Sequence, residues 1–243
     1  MSEAVAMPSL HDPESQRLAA RMPEIARAMS ASDGIPEFAE TGWLPDRFFD
    51  LLDELYAIYD AYVAHNLAAS RLAVRCRFGC TRCCHQAVHG MFVFEVIALY
   101  RQLRPLPGYD AIHAALADYA GQFQATLEQI VDADDGDPAE PMLRTLEAFA
   151  AAAAPCPLLS GNNCRVYAHR PLPCRMYHSL TDPVFCTTAD GHTFNIDVPQ
   201  AAAEILWSLS DRLAYPFPTL LAQGLVTFAE ARQFRPWSPP VPV

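Results

Sequence analysis

The pattern of apolar and polar positions predicts a long amphipathic helix over residues 45–70. Apolar side chains recur there every third or fourth position, which places them on one face of an α-helix. They are Phe48, Leu51, Leu52, Leu55, Tyr56, Ile58, Tyr59, Tyr62 and Val63. Pro45 followed by Asp46 is typical of a helix start. We expect this helix to place its aromatic stripe in the core and to lead the chain into a run of cysteines.

Further helices are expected on both sides of that run. The same periodicity predicts them over residues 14–29, Met91–Leu103, Tyr109–Val131, 139–154, 200–215 and 227–234. Pro23 lies inside the first of these, and we expect it to break the helix or to begin a second one. The acidic stretch Asp132–Pro138 is expected to be an exposed turn or loop.

Residues 156–199 have a different character. Prolines, glycines and asparagines interrupt this segment densely, which indicates turns and short extended pieces. Phe185–Thr188 and His192–Val198 are predicted to pair as one small hairpin. The proline-rich stretch 235–243 is expected to be an extended tail, either packed through Trp237 or loose.

These patterns predict a mainly α fold, in which a helical domain carries an irregular cysteine-rich metal-binding region and one small β-hairpin. We expect a single domain over residues 1–243, a length sufficient for one sizeable core. Residues 1–70 would form N-terminal helices and residues 71–199 the cysteine-cluster core region with its intervening helices. Residues 200–243 would supply C-terminal helices and the proline-rich tail.

The charge balance limits the classes of partner. The net charge is −11, which disfavours nucleic acid and an anionic membrane as partners. All 17 basic residues are arginines, so chemistry that needs a lysine, such as a Schiff base, is excluded. The first residues lack the apolar segment of a signal peptide, and no apolar run approaches the roughly 18 residues that span a bilayer. The sequence therefore predicts a cytoplasmic protein.

Candidate metal ligands are the eight cysteines, since thiols stay reduced in the cytoplasm and bind zinc or iron–sulfur clusters there. They are Cys76, Cys80, Cys83, Cys84, Cys156, Cys164, Cys174 and Cys186. The first four occupy nine positions and would share one face of a helix, although Gly79 makes a tight turn equally compatible. Because the side chains of consecutive residues diverge, we expect Cys83 and Cys84 to serve different metals, or one of them to join the later cysteines.

Several other residues near the cysteines are candidates for supporting roles. Arginines flank both groups and would lower the thiol pKa values, or they simply lie on the surface of tight loops. They are Arg71, Arg75, Arg77, Arg82, Arg165, Arg170 and Arg175. Four histidines near the cysteines are either additional ligands or hydrogen-bonded structural residues, namely His85, His89, His169 and His178. Glu95 stands in an apolar helix and must be paired, protonated or directed at a site.

The cysteine spacing resembles that of the YkgJ-type cysteine-cluster family, whose members are described as zinc- or iron-chelating domains. The similarity begins at Cys76-x3-Cys80-x2-Cys83-Cys84 with Glu95 downstream, and it continues through Cys156-Pro-Leu-Leu and Asn163-Cys164-Arg-Val-Tyr167. It ends with Arg170-Pro-Leu-Pro-Cys174-Arg-Met-Tyr177 and Cys186. The resemblance implies that all eight cysteines serve metal binding. The family is also similar to flagellin lysine methylases, which favours an iron–sulfur cluster of the 4Fe–4S type over zinc and implies S-adenosylmethionine as a further cofactor.

Three functions follow as hypotheses. The first is a metal-binding protein that holds an iron–sulfur cluster or zinc in a chelating, redox or structural role. The second is an iron–sulfur enzyme, such as a protein lysine N-methyltransferase that uses S-adenosylmethionine. Cys76, Cys80 and Cys83 have the spacing of radical S-adenosylmethionine enzymes, but the predicted consecutive helices do not suit their parallel barrel. The third is a module that binds a protein partner, with the metal only bracing its loops.

Overall fold

The computed structural model describes residues 12–77, 79–132, 140–186, 191–213, 220–233 and 235–238. Its α-helices confirm the mainly α prediction. In chain order they are α1 Pro13–Ser30, α2 Phe38–Thr41, α3 Asp46–Ser70, α4 Val93–Leu103, α5 Tyr109–Asp132, α6 Glu140–Ala152, α7 Leu172–Met176, α8 Gln200–Arg212 and α9 Leu221–Ala231. In this part of the chain, no helix is both long and apolar enough to cross a membrane.

α1 is one continuous helix, so the expected break at Pro23 is wrong. Asp12 caps its start, because the carboxylate accepts hydrogen bonds from the backbone amides of Glu14 and Ser15 at 2.9 and 3.0 Å. Pro23 is buried, as are Met22 and Ile25, in a helix that packs against α3 and α8. Burial of this apolar stripe offsets the backbone hydrogen bond that the proline cannot make.

α3 is the central helix of the core, as its apolar stripe predicts. Phe48, Leu55 and Tyr59 are fully buried on it, and α1 packs along it. α8 packs against α1, α9 packs against α4 and α5, and α6 lies on α5. The buried apolar side chains form a contiguous cluster that extends from Leu18 to Ala229. This core anchors both ends of the cysteine-rich segments.

The described residues contain two small antiparallel pairs of strands, consistent with the predicted mainly α fold with a small hairpin. β1 Leu159–Ser160 pairs with β2 Asn163–Cys164, and Gly161 in the turn between them has a φ of +58°. β3 Tyr177–Ser179 pairs with β4 Thr193–Asn195, with Ser179 opposite Thr193. The strand expected within His192–Val198 is therefore present and pairs with β3, whereas Thr187 and Thr188 of its predicted partner lie outside the described residues. Phe185 belongs to a 3-10 helix, Pro183–Phe185, whose first turn is capped by Asp182.

The remaining predictions differ from the structure mainly at helix ends. The helix predicted over residues 227–234 is α9, which begins earlier, at Leu221. The acidic loop lies outside the described residues except for Asp132, which ends α5. Trp237 packs against Phe49, with 5.4 Å between the ring centroids, so the beginning of the tail is docked on the core. Residues 239–243 of the tail lie outside the described part.

Candidate metal centre

The first four cysteines lie in the connection between α3 and α4. Cys76 and Cys80 are in irregular backbone, while Cys83 and Cys84 belong to a 3-10 helix, Arg82–His85. Gly79 has a φ of +79°, a conformation that glycine adopts without strain. Of the two backbone forms left open by the sequence, the structure has the tight turn, and the four thiols do not share one face of an α-helix.

The later four cysteines are carried by short elements. Cys156 follows α6, Cys164 ends β2, Cys174 lies within α7, and Cys186 directly follows the 3-10 helix Pro183–Phe185. Such short pieces have little core of their own, so their positions depend on contacts with the rest of the chain.

Direct hydrogen bonds join the two cysteine-bearing regions. The backbone amide of Cys156 donates to the carbonyl of Cys84 at 2.7 Å. The amide of Ser179 donates to the Sγ of Cys76 at 3.3 Å. The Cys186 carbonyl accepts from the Gln86 side chain at 3.0 Å and from the Tyr177 hydroxyl at 2.8 Å. The fold therefore brings the early and late cysteines together, although they are far apart in sequence.

The thiols surround a cavity of about 680 Å³. Seven of the eight cysteines line it: Cys76, Cys80, Cys83, Cys84, Cys156, Cys164 and Cys174. Cys186 is buried beside it and is not among the lining residues. Within the described part of the chain, no three histidine, cysteine, aspartate or glutamate side chains are arranged closely enough to hold one metal ion. The thiols instead stand around the cavity wall.

The rest of the wall includes apolar, basic and neutral polar residues. Met176, Val166 and Leu221 contribute apolar surface, and Arg77 and Arg170 contribute positive charge. Among the described residues that line the cavity, none is an aspartate or a glutamate. In a chain whose net charge is −11, this wall suits negatively charged thiolates and offers no hard oxygen anion to compete with them.

Burial disfavours the thiolate form of several of these cysteines in the absence of a cation. Burial raises the pKa of Cys156 to about 11, and it also raises the pKa of Cys174 and Cys164. A hydrogen bond with Cys84, followed by burial, raises the pKa of Cys83. A metal cation reverses this balance because it stabilises the thiolate forms and releases their protons. The donor set therefore fits a thiophilic metal.

The expected lowering of thiol pKa values by arginines is present only as a minor effect. Arg170 lowers the pKa of Cys164 and Arg82 lowers that of Cys186, but in both cases burial is larger and the net shift is upward. The Arg170 guanidinium lies over the Tyr167 ring at 4.3 Å. Its Nε is buried and has no hydrogen-bond partner among the described residues.

Arg175 has a structural role. Its guanidinium donates to Asp60 on α3, and to the carbonyls of Ala168 and Arg170, both at 2.7 Å. It also lies over the Tyr56 ring at 4.3 Å. The side chain thus fastens the segment around Cys174 to the central helix.

Glu95 holds the same segment from the other side. Its carboxylate is fully buried and accepts hydrogen bonds from the Tyr56 hydroxyl at 3.0 Å and from the backbone amides of Leu172 and Phe92 at 2.7 and 3.1 Å. Leu172 is the first residue of α7, so Glu95 places the helix that carries Cys174. Burial raises the pKa of Glu95 to about 7, and the three donors oppose part of that rise.

The four histidines divide into two pairs. His85 is hydrogen-bonded to the Ala153 carbonyl at 2.8 Å and His169 to Asp53 at 3.3 Å, which fits structural roles. His89 and His178 line the cavity. The Nε2 of His178 is buried with no partner within the described residues, and burial lowers the pKa of this ring.

Sequence reasoning missed Gln86, Ser179 and the bracing role of Tyr177. Gln86 and Ser179 each contact a cysteine that is distant in sequence, and the Tyr177 hydroxyl holds the carbonyl of Cys186. Tyr56 was assigned to the apolar stripe of α3, and it is indeed buried there, but its hydroxyl also holds Glu95. The hydroxyl of a tyrosine within a buried apolar stripe could have indicated this contact, because a buried hydroxyl group needs a hydrogen-bond partner.

Comparison with known proteins identifies a family for this region. A family model named CxxCxxCC, described as a "Putative zinc- or iron-chelating domain", matches residues 75–195. No curated protein and no solved structure showed a significant match. Through residues 75–195 the chain belongs to the CxxCxxCC family, and the YkgJ-type label fits this family. The motif in that name has two residues between its first two cysteines, whereas this chain has three, the last of which is Gly79.

Proposed function

We propose that this member of a zinc- or iron-chelating family binds its metal through its eight cysteines, seven of which line the 680 Å³ cavity. The observation that supports this most directly is the arrangement of seven thiols from separate segments around one space whose described lining residues include no carboxylate. Thiolates select zinc and iron–sulfur clusters over magnesium and calcium, which prefer oxygen ligands.

The role of the site depends on which metal it holds. Zinc would act as a structural cross-link or a chelated cargo, whereas an iron–sulfur cluster would supply electron transfer. The cysteines would act as ligands, and Glu95 and Arg175 would position Cys174 for this purpose. We favour a 4Fe–4S cluster because of the similarity to flagellin lysine methylases. All eight cysteines are free thiols. Thiols stay reduced in a compartment such as the cytoplasm, which is the location we propose.

The first test is anaerobic purification, followed by elemental analysis and an absorption spectrum of the same sample. Iron with acid-labile sulfide and a broad visible band would establish an iron–sulfur cluster. Zinc without visible colour would establish a chelating or structural site. A folded protein with neither metal and eight titratable thiols would contradict the proposal.

The size of the cavity supports an enzyme as the second candidate. A volume of about 680 Å³ lies within the range of small-molecule pockets, roughly 300–1,000 Å³, and its apolar wall with Arg170 suits an organic ligand. The reaction class would be transfer of a methyl group from S-adenosylmethionine to a protein lysine. Calorimetric titration of the metal-loaded protein with S-adenosylmethionine tests this candidate, and absence of saturable binding would reject it.

A further inference from the structure

Positive charge is concentrated in the two segments that carry the cysteines. Residues 71–90 and 156–186 hold seven of the 17 arginines and one of the 28 acidic residues, which gives them a formal net charge of +6. The rest of the chain holds the other ten arginines and 27 acidic residues, a net charge of −17. Because the fold brings the two segments together, they form a basic face on an otherwise acidic molecule.

Five of the seven arginines are exposed around the cavity. They are Arg71, Arg75, Arg77, Arg82 and Arg165, and we call them the basic rim. Every member except Arg71 is adjacent in sequence to a cysteine that lines the cavity. Among the described residues, no carboxylate lies within ion-pair distance of these five side chains. Their positive charge is therefore available to a binding partner.

Backbone hydrogen bonds fix the rim in place. The Arg75 amide donates to the Ser179 carbonyl at 2.8 Å. The Arg165 amide donates to the Leu158 carbonyl at 2.9 Å, in the segment that Cys156 joins to the early cysteines. The rim residues are thus anchored through their backbones around one cavity, while the residues themselves remain exposed.

Large apolar side chains are exposed in the same segments. Tyr167, Val184 and Phe185 are 43, 46 and 41% exposed. Tyr167 lines the cavity, and Val184 and Phe185 directly precede Cys186, whose carbonyl accepts a hydrogen bond from Gln86. Arginine and aromatic residues are enriched in protein–protein interfaces. The combination of exposed arginines and apolar side chains is therefore typical of a surface that binds another protein.

We propose that the basic rim and these exposed apolar side chains form a docking surface for a protein partner with an acidic segment. This inference goes beyond the proposed function and does not depend on which metal is bound. Guanidinium groups bind carboxylates through paired hydrogen bonds, and a positive patch orients the acidic face of a partner toward it. A long polyanion such as nucleic acid would extend beyond the rim onto the part of the chain with a net charge of −17, which favours a short acidic protein segment.

Fluorescence anisotropy with a labelled peptide of glutamate and leucine residues tests the docking surface. We expect saturable binding to the full-length protein as purified, weakening as the salt concentration rises. Arg75→Gln/Arg165→Gln removes two rim arginines that do not line the cavity, and it should weaken binding about 5-fold. The matched control, Arg27→Gln/Arg47→Gln, removes the same charge from exposed positions on α1 and α3 and should retain wild-type affinity.

The outcomes separate docking from general electrostatics and from metal binding. Equal weakening in both double variants, absence of saturable binding, or tighter binding of a labelled oligothymidine would each overturn the docking surface. Metal content is measured on the same samples. A rim variant that loses its metal together with the peptide would also overturn the inference, because the arginines would then serve the thiolates. A wild type without metal would contradict the proposed function, whereas the docking surface is judged by peptide binding alone.

Discussion

Glu95 is a carboxyl group placed where ionisation is unfavourable, and it should make stability depend on pH. Its pKa is raised by burial from 4.5 to about 7. Because the native pKa is above the unfolded pKa, the folded state favours the neutral carboxyl group. The resulting contribution to the unfolding free energy is fully present below the unfolded pKa, and it is lost as the pH rises through the native pKa. We therefore expect about 3 kcal/mol of unfolding free energy to disappear between about pH 4.5 and pH 7 because of this residue.

Glu95→Gln should remove that part of the pH dependence. Urea unfolding at a series of pH values would measure it, with Glu147→Gln, on the exposed face of α6, as the control. The Glu147→Gln protein should follow the wild-type profile. A Glu95→Gln protein with the same slope as the wild type would show that Glu95 does not titrate in this window.

Arg170 should strengthen metal binding without being a ligand. Its guanidinium lies at the cavity wall, and its Nε–H has no partner among the described residues. Bound thiolates would bring negative charge to this donor, and loss of such outer contacts lowers metal affinity about 10-fold or more. We expect that decrease for Arg170→Gln in a competition assay with a chelator. Arg165→Gln, an exposed neighbour, should retain wild-type affinity.

At the scale of single elements, the turn before Cys80 depends on Gly79. A Cβ at this position would meet no atom within 4 Å, so the cost of Gly79→Ala is that of the left-handed backbone, about 1 kcal/mol. Gly121 also has open space around it, but it lies inside α5, where alanine is favoured by about 1 kcal/mol. We therefore expect opposite changes in unfolding free energy for Gly79→Ala and Gly121→Ala, measured by urea unfolding. Equal effects would show that Gly79 is not held in this conformation.

The elements also show which features a sequence can reveal. The stripe of α3 predicted its bounds to within a residue, because burial of one helical face is a local, periodic signal. The prediction that early and late cysteines come together rested on the metal-binding chemistry of thiols, and not on the periodicity of apolar residues. The partner of β4 and the hydrogen bonds of Ser179 and Gln86 depend on contacts between distant segments. No local pattern encodes such contacts, so the pairing of β4 with β3 could not be predicted from the sequence.

At the scale of the whole molecule, a helical core supports a cysteine-rich region with few buried apolar residues of its own. Over residues 156–196 these include Leu158, Val166, Leu172 and Ile196, whereas the helices contribute most of the core. The two regions should therefore respond differently to removal of metal, because metal binding contributes folding free energy only where its ligands lie.

Hydrogen exchange before and after chelation would test this difference. Amides of residues 79–90, 156–186 and 191–196 should lose protection by at least 10-fold in the metal-free chain. Amides of α1, α3 and α5 should remain protected, since their burial does not depend on the cysteines. Glu95→Gln offers a comparison in which the metal is present but the anchor of α7 is altered. The effect of this substitution on amide protection should be greatest near Leu172.

Uniform loss of protection after chelation would mean that the metal supports the entire fold. Unchanged protection around the cysteines would mean that the short segments are held by their hydrogen bonds alone.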